Sequence, residues 1–382
     1  MPFKFPGWCR GGTGRQTSEN HPVATIETAI KRYEEFENFY TVDYSKDGLL
    51  GRGHFAEVYR GADLRTGRLI AVKKISRRNQ DIRNLRTEIS ALLKVNGHPN
   101  IVELYDVFVN ENTVILAMEL LGGGELFSRV VNSGAYSERQ ASKHFKRITE
   151  ALAYMHHNGI VHRDLKPENL VLASPDPDSE IKISDFGLSK VLGDDQSVMY
   201  TVCGTSAYAA PEVGYSSNYD FKVDTWSLGV ILFVVLSAYH PFDPYGKLDD
   251  RSLRAKVVQL QWDFNDRVWN GMSDSVKDLI SRLICRSEDR LDANQVLLHP
   301  WIANRDFVSE QPISGYSARN LRQFLSSTAF MDDITMDDHI ADSDVDLLIN
   351  HIEPASVSGS GNLLETAENQ WDASENQFVC QT

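Results

Sequence analysis

Cysteine is scarce in this chain of 382 residues, and its spacing excludes two kinds of site. The four cysteines are Cys9, Cys203, Cys285 and Cys380. None belongs to a Cys-x-x-Cys pair or has a histidine at zinc-ligand spacing, so we expect neither a disulfide framework nor a zinc knuckle. Reduced thiols are typical of intracellular proteins, and the sequence therefore predicts a cytoplasmic location, with the nucleus as the alternative.

Basic residues are absent from the C-terminal part of the chain. No Lys or Arg occurs between Gln323 and Thr382, whereas twelve of the 53 acidic residues lie there. The rest of the chain holds 41 acidic and 39 basic residues, so the net charge of −14 belongs almost entirely to this tail. Without a basic patch, the sequence predicts neither nucleic acid nor an anionic membrane surface as a partner.

Long apolar runs are absent as well. The longest uncharged run, Thr225 to Tyr239, has 15 residues, which is too short for a membrane-spanning helix and favours a buried one. The first residues, Met-Pro-Phe-Lys, provide neither the apolar core of a signal peptide nor the glycine of a myristoylation site. We therefore expect no membrane anchor.

Apolar patterning divides the chain into segments. Residues 1–43 resemble a flexible leader, in which Ile26, Ile30, Tyr33 and Tyr40 have a spacing compatible with a short docked helix or with a frayed extension. Beyond residue 43, apolar alternation and glycine-containing turns predict five strands and one helix, which form a small β-rich lobe over about 44–119. These elements are expected at Leu49–Gly53, Phe55–Gly61, Leu69–Ile75, Asp81–Val95, Val102–Val109 and Val114–Glu119.

Helical spacing dominates from residue 122 to about 302. Ser137 to Gln140 has the form of a capping box, and it precedes a helix whose apolar residues recur every three or four positions until Gly159. The fold class is therefore α+β, with a small β-rich N-lobe and a larger helical C-lobe. Further helices are predicted at Trp226–Tyr239, Leu253–Gln259, Ser273–Ile284 and Ala293–Leu298.

Two motifs in the larger lobe carry chemistry. Residues 162–169 read His-Arg-Asp-Leu-Lys-Pro-Glu-Asn, and residues 185–187 read Asp-Phe-Gly. Asp164 can accept a proton from a hydroxyl group, and Lys166 can neutralise a migrating phosphoryl group. Asn169 and Asp185 offer the hard oxygen ligands that Mg²⁺ prefers.

This ordered set resembles the catalytic and metal-binding loops of eukaryotic protein kinases. The resemblance implies a bilobal protein-kinase fold that uses ATP and Mg²⁺ to phosphorylate protein substrates. It assigns catalysis to Asp164, Lys166 and Asn169. It assigns the metal to Asn169 and Asp185. Lys166 in this loop is typical of serine/threonine kinases rather than tyrosine kinases.

A glycine-rich segment and a lysine precede these motifs. Residues 51–58, Gly-Arg-Gly-His-Phe-Ala-Glu-Val, resemble the kinase loop that covers the ATP phosphates, except that Ala56 stands where the family has a third glycine. A small residue there still lets the backbone approach a phosphate. Lys73 lies on an otherwise apolar strand and needs an acidic partner. Glu88 in the charged helix is the favoured partner, and Glu103 is the alternative.

The resemblance also defines a nucleotide site between the lobes. Backbone groups of Glu119 and Leu121 are expected to bond the adenine base, and Met118 is expected to act as the gatekeeper. The residues assigned to this site are Leu50, Gly51, Arg52, Gly53, His54, Phe55, Ala56, Val58, Ala71, Lys73, Glu88, Met118, Glu119, Leu121, Glu125 and Leu172.

Other residues take substrate-binding and regulatory roles by the same resemblance. Glu125 and Glu168 match positions that pair with a basic residue three positions before the acceptor, and Thr205 lies on the substrate side. Thr201 is the expected activation-loop phosphosite of an upstream activating kinase, with Arg163 in the pocket for its phosphate.

Two further acids are expected to be structural. Asp224 is expected to brace the catalytic loop from within the larger lobe. Glu212, which closes the activation segment, is expected to pair with a buried Arg290.

Three segments look most like the calcium/calmodulin-dependent kinase group: Leu121–Phe127, Cys203–Glu212 and Leu298–Ile302. The resemblance covers residues 44–302, the predicted kinase domain. Related enzymes carry a regulatory helix after this domain, and residues 303–330 are its expected place here.

Within this regulatory segment, residues 317–330 have one apolar face but only Arg319 and Arg322 as basic residues. Docking back on the kinase body is therefore favoured over calmodulin binding, with an unstructured linker as a further alternative. Residues 331–382 are expected to be an acidic, disordered tail.

An alternative to an active kinase is a nucleotide-binding scaffold that resembles a pseudokinase and has no significant phosphotransfer activity. Such a scaffold lacks at least one catalytic group. None is missing here, so the sequence favours an active enzyme. The catalytic groups present are Lys73, Glu88, Asp164, Lys166, Asn169 and Asp185.

Overall fold

The protein is described by a computed structural model. It describes residues 30–53, 56–76, 82–133, 136–176, 178–186, 189–191, 207–213, 220–304 and 308–310. All of these residues belong to one compact unit of the chain, residues 1–340. Within these ranges no helix is both long and apolar enough to cross a membrane.

The small lobe is built on a seven-stranded sheet. Its strands run in the order β1-β6-β7-β5-β4-β2, and β3 pairs with β4 beside this path. An α-helix of this lobe, α1, spans Ile82–Val95. The strands are β1 Ile30–Arg32, β2 Tyr40–Val42, β3 Leu49–Arg52, β4 Ala56–Asp63, β5 Leu69–Ser76, β6 Leu104–Val109 and β7 Thr113–Glu119.

Alternation along β5 gives the sheet two distinct faces. Ile70 and Val72 are buried on the outer face, in a cluster with Phe108 and Ile115. Lys73 directly follows Val72 in the strand and therefore projects from the opposite, inner face. The sequence predicted α1 and five of the seven strands, with each boundary within a few residues of the observed one.

The two additional strands come from residues that the sequence analysis assigned to a flexible leader. β1 pairs in parallel with β6, and β2 pairs antiparallel with β4. A 3-10 helix at Tyr33–Asn38 connects them. This N-terminal strap, residues 30–42, therefore reaches both edges of the sheet. The sequence analysis left a short docked helix and a frayed extension as alternatives here, whereas the aromatic residues of the strap face the sheet from a 3-10 turn and two very short strands.

One carboxylate ties both ends of the strap to β6. Lys31 Nζ lies 2.7 Å from Oδ1 of Asp106. The hydroxyl of Tyr40 donates to Oδ2 of the same residue at 2.6 Å. Burial and this hydrogen bond raise the pKa of Tyr40, so its phenol remains protonated and acts as the donor. The strap is thus fixed by polar contacts as well as by its aromatic cluster.

The larger lobe is helical. The helix α3, Glu138–His157, begins after Ser137 with the predicted capping box and is followed by Gly159 in the left-handed region, at φ 73°. The helix α4, Lys222–Ser237, is buried on all sides, as its uncharged sequence predicted. The helices are α2 Leu126–Ser133, α3 Glu138–His157, α4 Lys222–Ser237, α5 Asp250–Val258, α6 Asp274–Leu283, α7 Ala293–Leu298 and α8 Pro300–Ala303.

Short strand pairs hold the loops that face the small lobe. β8, Ile160–Val161, pairs with β11, Lys190–Val191, and β9, Leu170–Leu172, pairs with β10, Ile181–Ile183. Residues 162–169 therefore connect β8 to β9, and Asp185 lies two residues after the end of β10. Together with the small lobe, this arrangement confirms the predicted bilobal α+β fold.

We predict that the strap stabilises the small lobe. Phe36 is 5% exposed within the outer apolar cluster, whereas Phe39 in the same segment is 40% exposed. Phe36→Ala should lower the free energy of unfolding by about 3 kcal/mol, because it leaves a cavity against the sheet. Phe39→Ala is the matched control and should cost less than about half as much. Urea unfolding measures both, and equal effects would show that the strap does not contribute a specific core.

Candidate functional site

A buried acid on α4 positions the loop between β8 and β9. Asp224 is fully buried. The backbone amides of His162 and Arg163 each donate to one of its carboxylate oxygens at 2.9 Å. The ring of His156 on α3 adds a contact from Nε2 at 2.8 Å. Asp224 therefore holds the start of the catalytic loop, as the sequence predicted, and His156 is a partner that no motif had indicated.

The charge of Asp224 is stabilised by these contacts. Burial alone would raise its pKa. The hydrogen bond and charge of His156, with the nearby His162 and the amide of Arg163, outweigh burial and hold the pKa of Asp224 below its ordinary value. The carboxylate is thus ionised and can accept from both backbone amides.

Two residues of the site have backbone angles that side chains rarely adopt. Arg163 has φ 71° and Asp185 has φ 53°. Such left-handed conformations persist when the surrounding contacts determine them. The bond from the amide of Arg163 to Asp224 is one such contact. The strained backbone turns the side chains after β8 and β10 into their observed positions.

Asp164 and Asn169 are held together in the loop. The side-chain Nδ2 of Asn169 donates to the backbone carbonyl of Asp164 at 2.7 Å and to Oδ2 of Asp164 at 3.3 Å. Lys166 Nζ lies 3.6 Å from the same oxygen. Burial raises the pKa of Asp164, and the charge of Lys166 partly opposes this effect. A raised pKa increases the basicity of the carboxylate, which suits proton acceptance.

Lys73 links three parts of the cleft. Its Nζ lies 2.8 Å from Oε1 of Glu88 on α1 and 3.3 Å from Oδ1 of Asp185. Burial lowers the pKa of Lys73, but the two carboxylates outweigh it and raise the pKa above its ordinary value. Glu88 is the predicted partner. The alternative, Glu103, instead donates its backbone amide to the side chain of Glu119.

The glycine-rich segment is the hairpin between β3 and β4. The amide of Gly53 donates to the carbonyl of Ala56 at 2.8 Å, which closes the turn. A Cβ added to Gly51 would meet no heavy atom within 4 Å, and one added to Gly53 would make only an ordinary contact. Protein packing therefore does not require these glycines, whereas close approach of a phosphate to the backbone would. His54 and Phe55 lie outside the described residues.

The predicted adenine-binding residues come from both lobes. Ala71 pairs with Met118 across β5 and β7, so they share a face of the sheet. Val58 pairs with Lys73 across β4 and β5 and lies on that same inner face. Leu172 is 2% exposed in the larger lobe, and Leu50 is 46% exposed at the edge of the small lobe.

The segment between the lobes is fastened to the larger one. The amide of Gly123 donates to the carbonyl of Leu172, and the amide of Leu172 donates to Gly124. The amide of Glu119 donates to the carbonyl of Glu103 at 2.9 Å. Leu121 is half-buried and lies in it.

An ion pair that sequence reasoning missed crosses between the lobes. Lys182 Nζ on β10 lies 2.7 Å from Oε2 of Glu119 at the end of β7. Lys182 stands between the buried Ile181 and Ile183. A single cation between two buried isoleucines was the available signal, because such a lysine needs a polar partner.

The donor set at the loops fits magnesium. Asn169 uses its amide nitrogen in the bond to Asp164, which leaves its amide oxygen as a ligand, and Asp185 offers a carboxylate. Across the described ranges, no group of three or more His, Cys, Asp and Glu residues could hold a metal ion. Mg²⁺ commonly uses one or two protein oxygens and completes its shell with water and substrate phosphate, so a two-residue site suits it.

The end of the activation segment is anchored in the larger lobe. Glu212 accepts two bonds from the guanidinium of Arg290, at 2.6 and 3.2 Å. Arg290 is 1% exposed and also lies over the ring of Trp226, 4.9 Å from its centroid. The predicted pair is therefore present. Thr201 and Thr205 lie outside the described residues.

The two acids assigned to substrate recognition both lie beside β9. Glu125 forms an isolated bridge with Val171, and Glu168 precedes β9 in a 3-10 helix at Pro167–Asn169. Both residues are half-buried. Burial and the charge of Glu168 raise the pKa of Tyr208 above its ordinary value.

Comparison with known proteins identifies relatives for this arrangement. A family model described as the protein kinase domain matches residues 44–302. Calcium/calmodulin-dependent protein kinase type IV of Rattus norvegicus is 42% identical over 295 residues, which cover 74% of this chain and 61% of that protein. Calcium/calmodulin-dependent protein kinase type 1 of Macrobrachium nipponense is 41% identical over 291 residues, 74% of this chain and 82% of its own.

A third relative is myosin light chain kinase A of Dictyostelium discoideum, 41% identical over 261 residues, which cover 67% of this chain and 87% of that protein. For the type IV enzymes of rat, human and mouse the shares of the relative are 61%, 54% and 55%. The chain thus spans little more than half the length of these curated relatives.

We predict that Asp224→Asn loosens the catalytic loop. Asparagine has only one side-chain oxygen, so one of the two loop amides loses its acceptor, and the free energy of unfolding at pH 7 should fall by about 2 kcal/mol. Because the folded-state pKa of Asp224 lies below the unfolded value of 3.8, the contribution of the carboxylate is complete above that pH. It is lost only as the pH falls through the lower folded value.

Urea unfolding from pH 8 downward tests this expectation. The difference between the original protein and Asp224→Asn should stay constant to about pH 5 and shrink at lower pH. Asp274→Asn is the control, because the side chain of Asp274 is fully exposed. A difference that grows as the pH falls would contradict the stated sign.

Proposed function

This chain belongs to the protein kinase family, within the calcium/calmodulin-dependent kinase group, and on that premise we propose that it is an active serine/threonine protein kinase. Its substrates are ATP and Ser or Thr hydroxyl groups of proteins. The observation that carries this proposal is the position of Lys73, which lies in ion-pair distance of both Glu88 and Asp185. That arrangement joins the small lobe to the metal-binding loop of the larger lobe.

The proposed reaction uses the loop between β8 and β9. The substrate hydroxyl oxygen attacks the γ-phosphorus of ATP, and the bond from that phosphorus to the bridging β,γ-oxygen breaks. Asp164 accepts the hydroxyl proton, and ADP leaves with the negative charge. Lys166, next to Asp164, neutralises charge on the transferred group.

Lys73 and the glycine-rich segment orient the nucleotide. Lys73 is charged because its pKa is raised, so it can bond phosphate oxygens from the inner face of the sheet. Backbone amides near Gly51 and Gly53 can approach the phosphates closely. Asn169 and Asp185 would hold Mg²⁺, which supplies charge neutralisation at the phosphates when bound.

We also propose that the enzyme prefers a basic residue three positions before the acceptor. Glu125 and Glu168 both lie beside β9 and are half-buried, so they form an acidic edge next to the catalytic loop. A carboxylate pairs with the fork of an arginine in two bonds, which makes Arg the better substrate residue than Lys.

Two proposals on regulation concern residues that lie mostly outside the described ranges. Thr201 is the proposed activating phosphosite, since phosphate can order a segment through bonds to arginine, and Arg163 adjoins the catalytic acid. Residues 303–330 are proposed to dock on the kinase body. The relatives are named as calcium/calmodulin-dependent, but the low basic charge of this segment favours docking over calmodulin binding.

We predict that two aspartates fail in different ways. Asp164→Ala should lower kcat at least about 100-fold with ATP affinity nearly intact, because this acid acts on the hydroxyl group and not on the nucleotide. Asp185→Ala should instead abolish Mg²⁺-dependent ATP binding. Steady-state kinetics with a basic Ser/Thr peptide and nucleotide titration measure the two effects.

Asp178→Ala is the matched control for these variants. Its side chain is 89% exposed and pairs with Lys143 on the surface, so kcat and ATP affinity should be unchanged. Original activity in either active-site variant would contradict the assigned roles. Nucleotide binding without any phosphotransfer by the original protein would favour the scaffold alternative.

We predict that Glu125 contributes to selection of arginine. Glu125→Gln should reduce the preference in kcat/KM for a peptide with Arg over one with Ala, at three positions before the acceptor, by about tenfold. The Ala peptide should be used equally by both proteins. Glu111→Gln, in the exposed turn between β6 and β7, is the control. If the Arg preference survives Glu125→Gln, substrate recognition lies elsewhere.

A further inference from the structure

The segment from Ala207 to Val213 is held by side chains of the larger lobe that bond its backbone carbonyls. Ser227 on α4 donates to the carbonyl of Tyr208 at 2.9 Å. The ring of His240, after α4, lies 2.8 Å from the carbonyl of Ala207. This segment is irregular, so its carbonyls need hydrogen-bond donors from other elements if they are to be fixed.

Arg254 makes the largest share of these contacts. Its guanidinium donates to the carbonyl of Ala210 at 3.0 Å, to that of Pro211 at 2.7 Å and to that of Val213. Arg254 is a half-buried residue of α5. Only a guanidinium presents several N–H donors in a fixed plane, and a lysine ammonium cannot satisfy three carbonyls in the same geometry.

The same segment lies beside the catalytic loop. Ser227, which binds the carbonyl of Tyr208, is three residues after Asp224, which binds the loop amides from the same helix. The charge of Glu168 also contributes to the raised pKa of Tyr208. Arg290 binds the side chain of Glu212, whereas Arg254 binds the backbone on both sides of Glu212. Two arginines therefore fix one short stretch in two different ways.

The groups of the phosphate chemistry are held by other contacts. Asp164 is bonded by Asn169, the loop is held by Asp224, and Lys73 is paired with Glu88. None of the bonds of Arg254 given above involves these residues. Loss of the Arg254 contacts should therefore affect the surface beside Glu168 more than the nucleotide site.

We propose that Arg254 is a positioning residue for the protein substrate: by binding the carbonyls of residues 210–213 it fixes the surface next to the catalytic loop on which the substrate peptide lies. This inference rests on the proposed kinase activity and extends it to a residue outside every motif. It assigns a role in substrate affinity, separate from phosphoryl transfer and from nucleotide binding.

The test compares Arg254→Met and Arg254→Lys in the full chain. Methionine keeps the apolar stem and removes every donor, and lysine keeps the charge but not the planar fork. Arg251 is an exposed arginine on the same helix, so Arg251→Met and Arg251→Lys are the matched controls. Initial rates are measured while a Ser/Thr peptide with arginine three positions before the acceptor and ATP are varied separately, and thermal unfolding is recorded for each protein.

We expect Arg254→Met to raise the KM for peptide about tenfold, while kcat and the KM for ATP stay within about twofold. Arg254→Lys should give an intermediate rise, and both Arg251 variants should match the original protein. If Arg254→Met does not fold, Arg254→Lys decides the question by the same split between the two KM values.

Two outcomes would overturn the inference. One is an unchanged KM for peptide in the folded Arg254 variants. The other is a common fall in all rates that follows the fraction of folded protein, which would indicate a purely structural residue. Absence of phosphotransfer by the original protein would overturn the proposed function, and this inference with it, whereas normal activity with unaffected Arg254 variants would overturn the inference alone.

Discussion

The site depends most on the two hydrogen bonds that the buried carboxylate of Asp224 accepts from backbone amides. The amides of His162 and Arg163 lie between β8 and the 3-10 helix of this loop, and both donate to Asp224. A fully buried carboxylate remains charged only when hydrogen bonds replace its lost hydration. The three donors around Asp224 supply these bonds and keep its pKa low. The positive φ of Arg163 is compatible with folding because this anchor determines it.

Lys73 has the complementary role at the interface of the lobes. It is a cation on an apolar sheet, and its partners come from a helix of the small lobe and from the loop after β10. Both contacts of Lys73 therefore form only when α1 and Asp185 are in their observed positions. A phosphate that binds Lys73 competes with these two carboxylates for the ammonium group. Mg²⁺ at Asp185 would reduce this competition, because it would neutralise one of the two carboxylates.

The sequence predicted the elements whose signals are local. The capping box at Ser137 and the uncharged run of α4 specify helices through neighbouring residues, and both helices are present. The strap could not be predicted in the same way, because strands of three residues are too short to show alternation and are defined by their partners β6 and β4. The helix at Leu126–Ser133 was missed since it is short and follows three glycines. Chemical motifs located Lys73, Asp164 and Asp185. Arg254 could not be located in this way, because it binds backbone carbonyls, which every residue has.

The two irregular segments of the site are held by side chains of opposite hydrogen-bonding character. Asp224 accepts from amides of the catalytic loop, whereas Ser227, three residues later on the same helix, donates to a carbonyl of the segment after residue 206. Because α4 is buried on all sides, it cannot shift without opening cavities in a close-packed interior. The catalytic loop and the neighbouring segment are therefore both anchored to one rigid helix. Arg254 on α5 extends that frame to Val213, so that the position of residues 207–213 relative to the loop between β8 and β9 depends on the packing of the larger lobe and not on the loops themselves.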